Sequence, residues 1–473
     1  MGGSAARPRA LRLPEVHGRR GRSHDDQRLR RAGAAGLGYR GWTSDNSAAL
    51  SSGGPTPGNK LVDLVAPGME GLAACTVDPH WSGCTLPTQV FGGTSQSAPF
   101  VAGAAADVIQ AYESTHGGTR PAPALVKRLL TGTATDLGAP ADEQGAGLLN
   151  TDAAVRAARS VGTTGGTADS TSLIPSAGQL DLTGHPGATR HTSVTLTNTA
   201  NRPRKVTMTS RTAGSTTFRS ARTVTVGKPL DNTPQGRLAV RSFTVQVPKG
   251  TPFMDLTMAW PGKDTSGHLV PVLFDPKGRL TQIGYDYGGD GHSNHQYVDV
   301  RDPAPGDWTV KVVWGVGYEG LQYAPMKPGS YRGPLHIQVT GHRWTSAGVP
   351  GRTRTVPAGG TAVFPVTVPI PRTAGDAPFS LQFASDTGTR LSLPVARRTL
   401  IPVDAARGHN TSFTAHVTGG VGRSVGQTNG YYLDVPKGRR NLTVDRAGSR
   451  HRTRLLPDQP PAAGPRPRQQ PHR

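Results

Sequence analysis

Apolar and polar residues alternate along several stretches of the second half of the chain. The large residues at alternate positions are Phe243, Val245 and Val247 in one stretch, and Trp308, Val310, Val312 and Trp314 in another. A period of two is typical of strands with one buried face. Gly- and Pro-containing turn signals at residues 248–250, 275–278 and 303–306 interrupt the pattern. This half is therefore predicted to fold as β-sandwiches built from short strands.

The first half shows helical spacing instead. The large apolar residues between Pro99 and Tyr112 recur every three or four positions, which predicts one helix. A second helix is predicted from Ala122 to about Thr131, and a third over residues 151–159. Residues 61–68 are predicted to form a short buried strand that runs into a turn. The Gly-, Thr- and Ser-rich stretch that follows the third helix is predicted to be a linker.

An eight-residue pattern occurs twice in the β-rich half. Residues 243–250 recur as residues 431–438, and a weaker echo links residues 194–196 with 366–368. The repeat predicts two copies of a pair of modules, in which a small sandwich precedes a larger one and the last copy is incomplete.

The net charge of +22 is concentrated at the two ends of the chain. Residues 1–60 carry 11 basic and 4 acidic side chains, and residues 446–473 carry 7 arginines against one aspartate. Both ends lack a periodic apolar pattern, so we predict that residues 1–36 and 446–473 are disordered or out of frame. Polyanion binding by these ends is one functional hypothesis, although we expect neither a nucleic-acid nor a membrane partner. No apolar run reaches the roughly 18 residues that a membrane span needs.

Cys75 and Cys84 are the only cysteines, and they lie close together in sequence. This spacing favours a local disulfide and an extracellular location, although the residues after Met1 contain no sustained apolar segment of the kind expected in a signal peptide. A zinc site using Asp78 and His80 is an alternative, but the spacing matches no standard zinc pattern.

Residues 91–103 carry the clearest chemical signal. Gly92 and Gly93 precede Ser95, which opens the first predicted helix. A hydroxyl exposed at a tight turn suits a nucleophile, because the unpaired N–H groups of a helix N-terminus can stabilise an oxyanion. A plain helix cap at Ser95 is the alternative reading.

This segment resembles the subtilisin-like serine peptidases, whose nucleophile motif is matched from Gly93 to Gly103. The resemblance implies that Ser95 is the nucleophile, that its backbone N–H is an oxyanion donor, and that Gly93, Thr94 and Pro99 form the nucleophile loop. Further resemblance extends over residues 51–55, 63–68, 125–134 and 145–150. The sedolisin-like peptidases share a similar motif, but the calcium-binding segment that usually follows theirs is not found here.

The resemblance implies a secreted serine endopeptidase that cleaves protein or peptide substrates through an acyl-enzyme. Its mechanism also needs a His and an Asp ahead of the serine. None of the upstream candidates has the family context, and Asn46 is not placed to serve in the oxyanion hole. These candidates are His17, His24 and His80, with Asp25, Asp26 and Asp45. We therefore predict negligible peptidase activity for this chain, and a non-catalytic extracellular β-sandwich protein is the alternative.

The predicted fold class is a partial α/β subtilisin-like domain with a parallel sheet, followed by all-β Ig-like and jelly-roll-like sandwiches. The predicted units are a subtilisin-like half-domain (37–160), a linker (161–178), an Ig-like sandwich (179–228), a jelly-roll-like sandwich (229–343), an Ig-like repeat (344–405) and the start of a second jelly roll (406–445). We expect no cofactor and no metal. Calcium at Asp286 and Asp290, and a metal pair at His292 and His295, are weaker alternatives to a solvated turn.

Overall fold

The computed structural model describes residues 46–49, 51–68, 71–76, 87–168, 170, 172–227, 239–261, 269–284, 295–314, 331–403, 430–435 and 437. Most regular structure within them is β-strand. The helices are α1 (Thr94–Thr115), α2 (Pro123–Gly132), α3 (Ala141–Gln144) and α4 (Thr151–Ser160). No helix in these ranges is both long and apolar enough to cross a membrane.

The strands lie on both sides of the helices in sequence. They are β1 (Gly71–Ala74), β2 (Thr88–Phe91), β3 (Leu173–Pro175), β4 (Leu180–Gly184), β5 (Thr189–Asn198), β6 (Arg204–Val226), β7 (Ala239–Val247), β8 (Phe253–Ala259), β9 (Leu269–Phe274), β10 (Leu280–Ile283), β11 (His295–Arg301), β12 (Gly306–Trp314), β13 (Gly333–Thr345), β14 (Arg352–Val356), β15 (Thr361–Pro369), β16 (Gly375–Asp376), β17 (Phe379–Ser385), β18 (Arg390–Thr399), β19 (Ile401–Pro402) and β20 (Leu433–Asp434).

The three longer helices occur where the apolar spacing predicted them. They pack around one apolar core, because each helix places its small or branched residues on the face that meets the others. Val108 of α1, Leu129 of α2 and Ala154 of α4 are each fully buried in this core. We call residues 46–160 the helical segment.

The prediction of a strand over residues 61–68 is wrong, because these residues form no regular strand. The structure has a single parallel bridge there, between Val65 and Leu148. The facing segment contains Gly145 and Gly147, whose φ angles are +60° and +129°, so its backbone turns too sharply to extend a ladder. Within the described part of the helical segment the regular strands are β1 and β2, which pair antiparallel.

Strand β6 is 23 residues long and joins two β units. Its first part pairs with β14 and β17, whereas its second part pairs with β13 from Thr212 to Val226. It thereby becomes the central strand of a nine-stranded sheet. We call residues 173–211 together with 346–402 the split unit, and residues 212–345 the inserted unit.

The split unit differs from the predicted arrangement of two separate Ig-like modules. Val194 and Met208 from one predicted module share a core with Phe364, Phe383 and other residues of the second. The physical reason is pairing across the sequence: β5 pairs with β15, β6 with β17, and β4 with β18. The two stretches are therefore halves of one core, and neither contains a core of its own.

The inserted unit has the expected strand alternation. Val245 and Val247, and likewise Trp308, Val310 and Val312, point into one buried core. This core lies between the second part of the nine-stranded sheet and a four-stranded sheet with the order β10-β9-β12-β7. Of the predicted second jelly roll, most residues lie outside the described ranges; Leu433 and Asp434 pair with β19.

Candidate functional site

Ser95 lies in the first turn of α1, exposed to solvent. Strand β2 ends at Phe91, and Gly93 turns the chain into the helix with a φ of +104°. A side chain at position 93 would be strained in that conformation, which accounts for the glycine. Thr94 is the first residue of the helix and Pro99 lies in its second turn; both are exposed.

The segment that ends at Gly68 supports this helix N-terminus. The Gly93 N–H donates to the Gly68 carbonyl at 2.7 Å, and the Ser97 hydroxyl donates to the Ala66 carbonyl at 3.0 Å. A Cβ on Gly68 would lie 2.3 Å from Ser97 Oγ and 3.0 Å from the Gly93 carbonyl oxygen. A side chain at position 68 would crowd both atoms, so the glycine favours the close approach of the two segments.

Residues 145–150 support the segment that ends at Gly68. The Val65 N–H donates to the Gly147 carbonyl at 2.9 Å, and the Leu149 N–H donates to the Val65 carbonyl at 2.8 Å. A Cβ on Gly147 would lie 2.2 Å from the Thr135 carbonyl oxygen. The structure thus brings together residues 63–68, 93–103 and 145–150, three segments that the sequence assigned to one motif set.

The described residues offer Ser95 no imidazole. Its hydroxyl makes no hydrogen bond to another described residue. Six of the 15 histidines lie in the described ranges, and five of them bond elsewhere through their rings. His116, for example, follows the last residue of the 22-residue helix α1, about 30 Å from Ser95 along the axis. The sixth, His295, is buried in β11 of the inserted unit.

Several predicted candidates lie outside the described residues. These are His17, His24, His80, Asp25, Asp26, Asp45, Asp78, Cys84, Asp286, Asp290 and His292. Asn46 is described, and its side-chain oxygen accepts at 3.1 Å from the N–H of Arg301, a residue of the inserted unit. Cys75 is disulfide-bonded. No group of three or more His, Cys, Asp or Glu side chains within the described ranges is arranged to hold a metal ion.

Two features of the helical segment, one of them next to Ser95, have no signal in the sequence. Gln96, next to Ser95, is only 7% exposed, and its side-chain oxygen has no hydrogen-bond partner among the described residues. Asp136, in the loop after α2, forms a two-pronged ion pair with Arg211 of β6. Pairing between residues so far apart has no local pattern that could reveal it.

Comparisons with known proteins agree with the motif geometry. Residues 32–148 match the model of the subtilase family, peptidase family S8. This match confirms the resemblance read from the motifs and places that segment in the subtilase family, a family of serine peptidases. No curated protein matches the chain.

One solved structure found by fold comparison is the crystal structure of tripeptidyl peptidase 2 (TPP II). The sequence identity is 14% and the TM-score is 0.18. The match covers 72% of this chain, which spans 37% of that structure. A TM-score this low carries no argument about the fold or activity of the present chain.

Proposed function

We propose that the chain belongs to a secreted subtilisin-like serine endopeptidase in which Ser95 attacks the scissile carbonyl of a protein or peptide substrate. The observation that carries the proposal is the position of Ser95: an exposed hydroxyl in the first turn of a long helix, directly after a glycine turn. The Gln96 N–H of that turn already donates to the Gly93 carbonyl at 2.9 Å, whereas the Ser95 N–H has no acceptor within the helix and can stabilise the oxyanion of an acyl-transfer step.

The proposed step is acyl transfer. Ser95 Oγ bonds to the carbonyl carbon while its proton passes to a general base, and the amine leaves with that proton. Water then hydrolyses the acyl-enzyme. The base has to come from outside the described residues, because the six described histidines lie elsewhere. Under this proposal the β units are Ig-like and jelly-roll-like accessory sandwiches.

A second candidate function is a non-catalytic extracellular binding protein. It is favoured by the same isolation of the Ser95 hydroxyl from any described imidazole. Loss of the base and its partner lowers the rate of a serine peptidase by orders of magnitude. A chain that lacked both would keep the β units as its working part.

Labelling with a fluorophosphonate separates the two. The peptidase predicts covalent labelling that is lost in Ser95→Ala and retained in Ser114→Ala, a matched serine at the far end of α1. Absence of labelling in a chain with an intact circular dichroism spectrum and a cooperative melt would support the binding protein and contradict the peptidase.

A further inference from the structure

A cleft of about 490 Å³ lies where the three parts of the fold meet. The helical segment lines it with the loop at 133–138 and with Asn150, the inserted unit with Asp302 and Trp344, and the split unit with Arg390. We call it the junction cleft. Binding sites for small molecules occur preferentially where packed units meet, and their volumes are commonly about 300–1,000 Å³. Its position and size therefore make the junction cleft a candidate site.

Two of the charged residues that line the junction cleft hold its walls together. Asp136 binds the Arg211 guanidinium of the split unit with both carboxylate oxygens. Arg301 of the inserted unit donates through Nη1 to the Leu137 carbonyl at 3.2 Å. The helical segment is thus tied to both β units at this point. A cleft whose walls are fixed in this way loses little freedom when it binds a ligand.

The other two charged residues of the lining carry opposite charges. Asp302 and Arg390 are both exposed. Within the described residues their side chains make no hydrogen bond and no ion pair, either with each other or with a third group. They belong to different units, so the packing of those units keeps a carboxylate and a guanidinium on one cleft without contact between them. A ligand that carries both charges can neutralise both side chains at once.

The backbone at Asp302 is unusual. Its φ angle is +41°, in the left-handed region that residues other than glycine rarely adopt. The Asp302 N–H donates to the Pro252 carbonyl at 2.8 Å, which holds the residue in this conformation. Strained non-glycine residues of this kind cluster at binding sites. This independent observation points to the same carboxylate.

Free peptides carry the matching pair of charges. The ammonium of the N-terminus can bind the Asp302 carboxylate, and the C-terminal carboxylate can bind the Arg390 guanidinium through two parallel N–H donors. Two or three residues span roughly 7–10 Å when extended, which a cleft of this volume accommodates. A diamine or a dicarboxylate would bring one of its ends next to a like charge. We propose that the junction cleft binds a peptide of two or three residues with both ends free, at a site whose lining does not include Ser95.

Calorimetric titration of the full chain with trialanine tests this proposal. Trialanine is expected to bind in the range of about 1–5 mM, and more weakly as the salt concentration is raised, because exposed charges are screened. N-acetyl-trialanine lacks the ammonium, and trialanine amide lacks the carboxylate. Each should bind about fivefold more weakly than trialanine, since each loses one exposed ion pair.

Two variants assign the two ends of the peptide. Asp302→Asn should bind trialanine about fivefold more weakly than the wild type and should no longer distinguish it from the N-acetyl form. Arg390→Gln should show the same loss, but it should no longer distinguish trialanine from its amide. A residue with only a structural role would not change the selectivity in this way. Asparagine adopts the left-handed conformation as aspartate does, so the backbone at position 302 is retained.

Arg372→Gln and Asp107→Asn are the matched controls. Arg372 is an exposed arginine of the split unit and Asp107 an exposed aspartate of α1, and neither lines the junction cleft. Both variants should bind trialanine as the wild type does, and all four should keep the wild-type melting temperature within about 2 °C. The proposal is overturned if trialanine does not bind, if either blocked form or succinate binds the wild type as tightly, or if a control variant weakens binding as much as Arg390→Gln. It is also overturned if Asp302→Asn still prefers trialanine to the N-acetyl form.

Discussion

The ion pair between Asp136 and Arg211 gives the sharpest test of how the helical segment is held. The two guanidinium nitrogens donate to the two carboxylate oxygens at 2.7 and 2.8 Å. The side chains are only 13% and 15% exposed, respectively. Gln144 and the Gly138 N–H also donate to this carboxylate, and the guanidinium lies 5.2 Å from the Trp344 ring centre. One carboxylate thus joins α2, α3 and β6.

Replacing Asp136 by Asn removes the negative charge and leaves the Arg211 charge buried without its partner. Removal of one member of a buried pair costs about 3–5 kcal/mol. Because both side chains keep some exposure, we expect the lower end, about 3 kcal/mol. The matched control is Asp152→Asn in α4, whose partner Arg156 is half exposed; that pair should contribute less than about 1 kcal/mol.

Burial alone would raise the pKa of Asp136, but the hydrogen bond and charge of Arg211, with the donors of Gln144 and Gly138, outweigh it and hold the pKa below its ordinary value. The folded state therefore binds this proton less readily than the unfolded state. The stabilisation is complete above the unfolded-state pKa and is lost as the pH falls through the lower folded-state value. The variant should thus differ most from the wild type at neutral pH and least in strong acid.

Native-state hydrogen exchange at pH 7 measures the effect locally, which suits a chain with several cores. Amides of α2, of the loop that follows it and of α3 should lose about 3 kcal/mol of protection in Asp136→Asn and almost none in Asp152→Asn. A loss below about 1 kcal/mol in Asp136→Asn would refute the reasoning. So would an equal loss in the two variants.

Three further predictions concern separate parts of the fold. Gly68→Ala should shift the N-terminus of α1, because its Cβ would lie 2.3 Å from Ser97 Oγ; faster amide exchange in the first turn of α1 would show it. Leu129→Ala should destabilise the helical core by about 3 kcal/mol, because Leu129 is fully buried; hydrogen exchange across α2 would measure this. Burial lowers the pKa of His295 to about 4, so the contribution of this residue to stability should be lost as the pH falls from about 6.5 towards 4. In His295→Gln the free energy of unfolding measured with urea should therefore change less with pH over that range.

The helices and many strand faces could be predicted from the sequence because their signals are local. The period of three to four residues around Val108 and the period of two around Val310 both reflect one buried face, and each occurs within a dozen neighbouring residues. The Ser95 turn was predictable for the same reason. Gly93, Thr94 and Ser95, which form this turn, follow one another in the chain.

The strand partners could not be predicted, because pairing depends on residues far apart. Nothing near Val194 indicates that it faces Phe364 across a ladder, and nothing near Met208 indicates Phe383 as its partner. The two stretches have similar patterns, so the sequence suggested a repeated module. In the structure the similarity arises because both stretches supply strands to one core, where similar alternation is required of each.

Contacts between residues far apart in the chain also support the turn at Ser95. Leu61, shortly before the segment that holds α1, packs with Ala141 and with Ala396 of β18. Arg398, two residues further on, donates to the carbonyl oxygens of Thr56 and Pro57. Residues near position 400 thus help to position a segment near position 60, which in turn fixes the first turn of α1. The split unit is therefore part of the support for the turn at Ser95, and a change in the packing of β18 acts on the same structure that presents this serine.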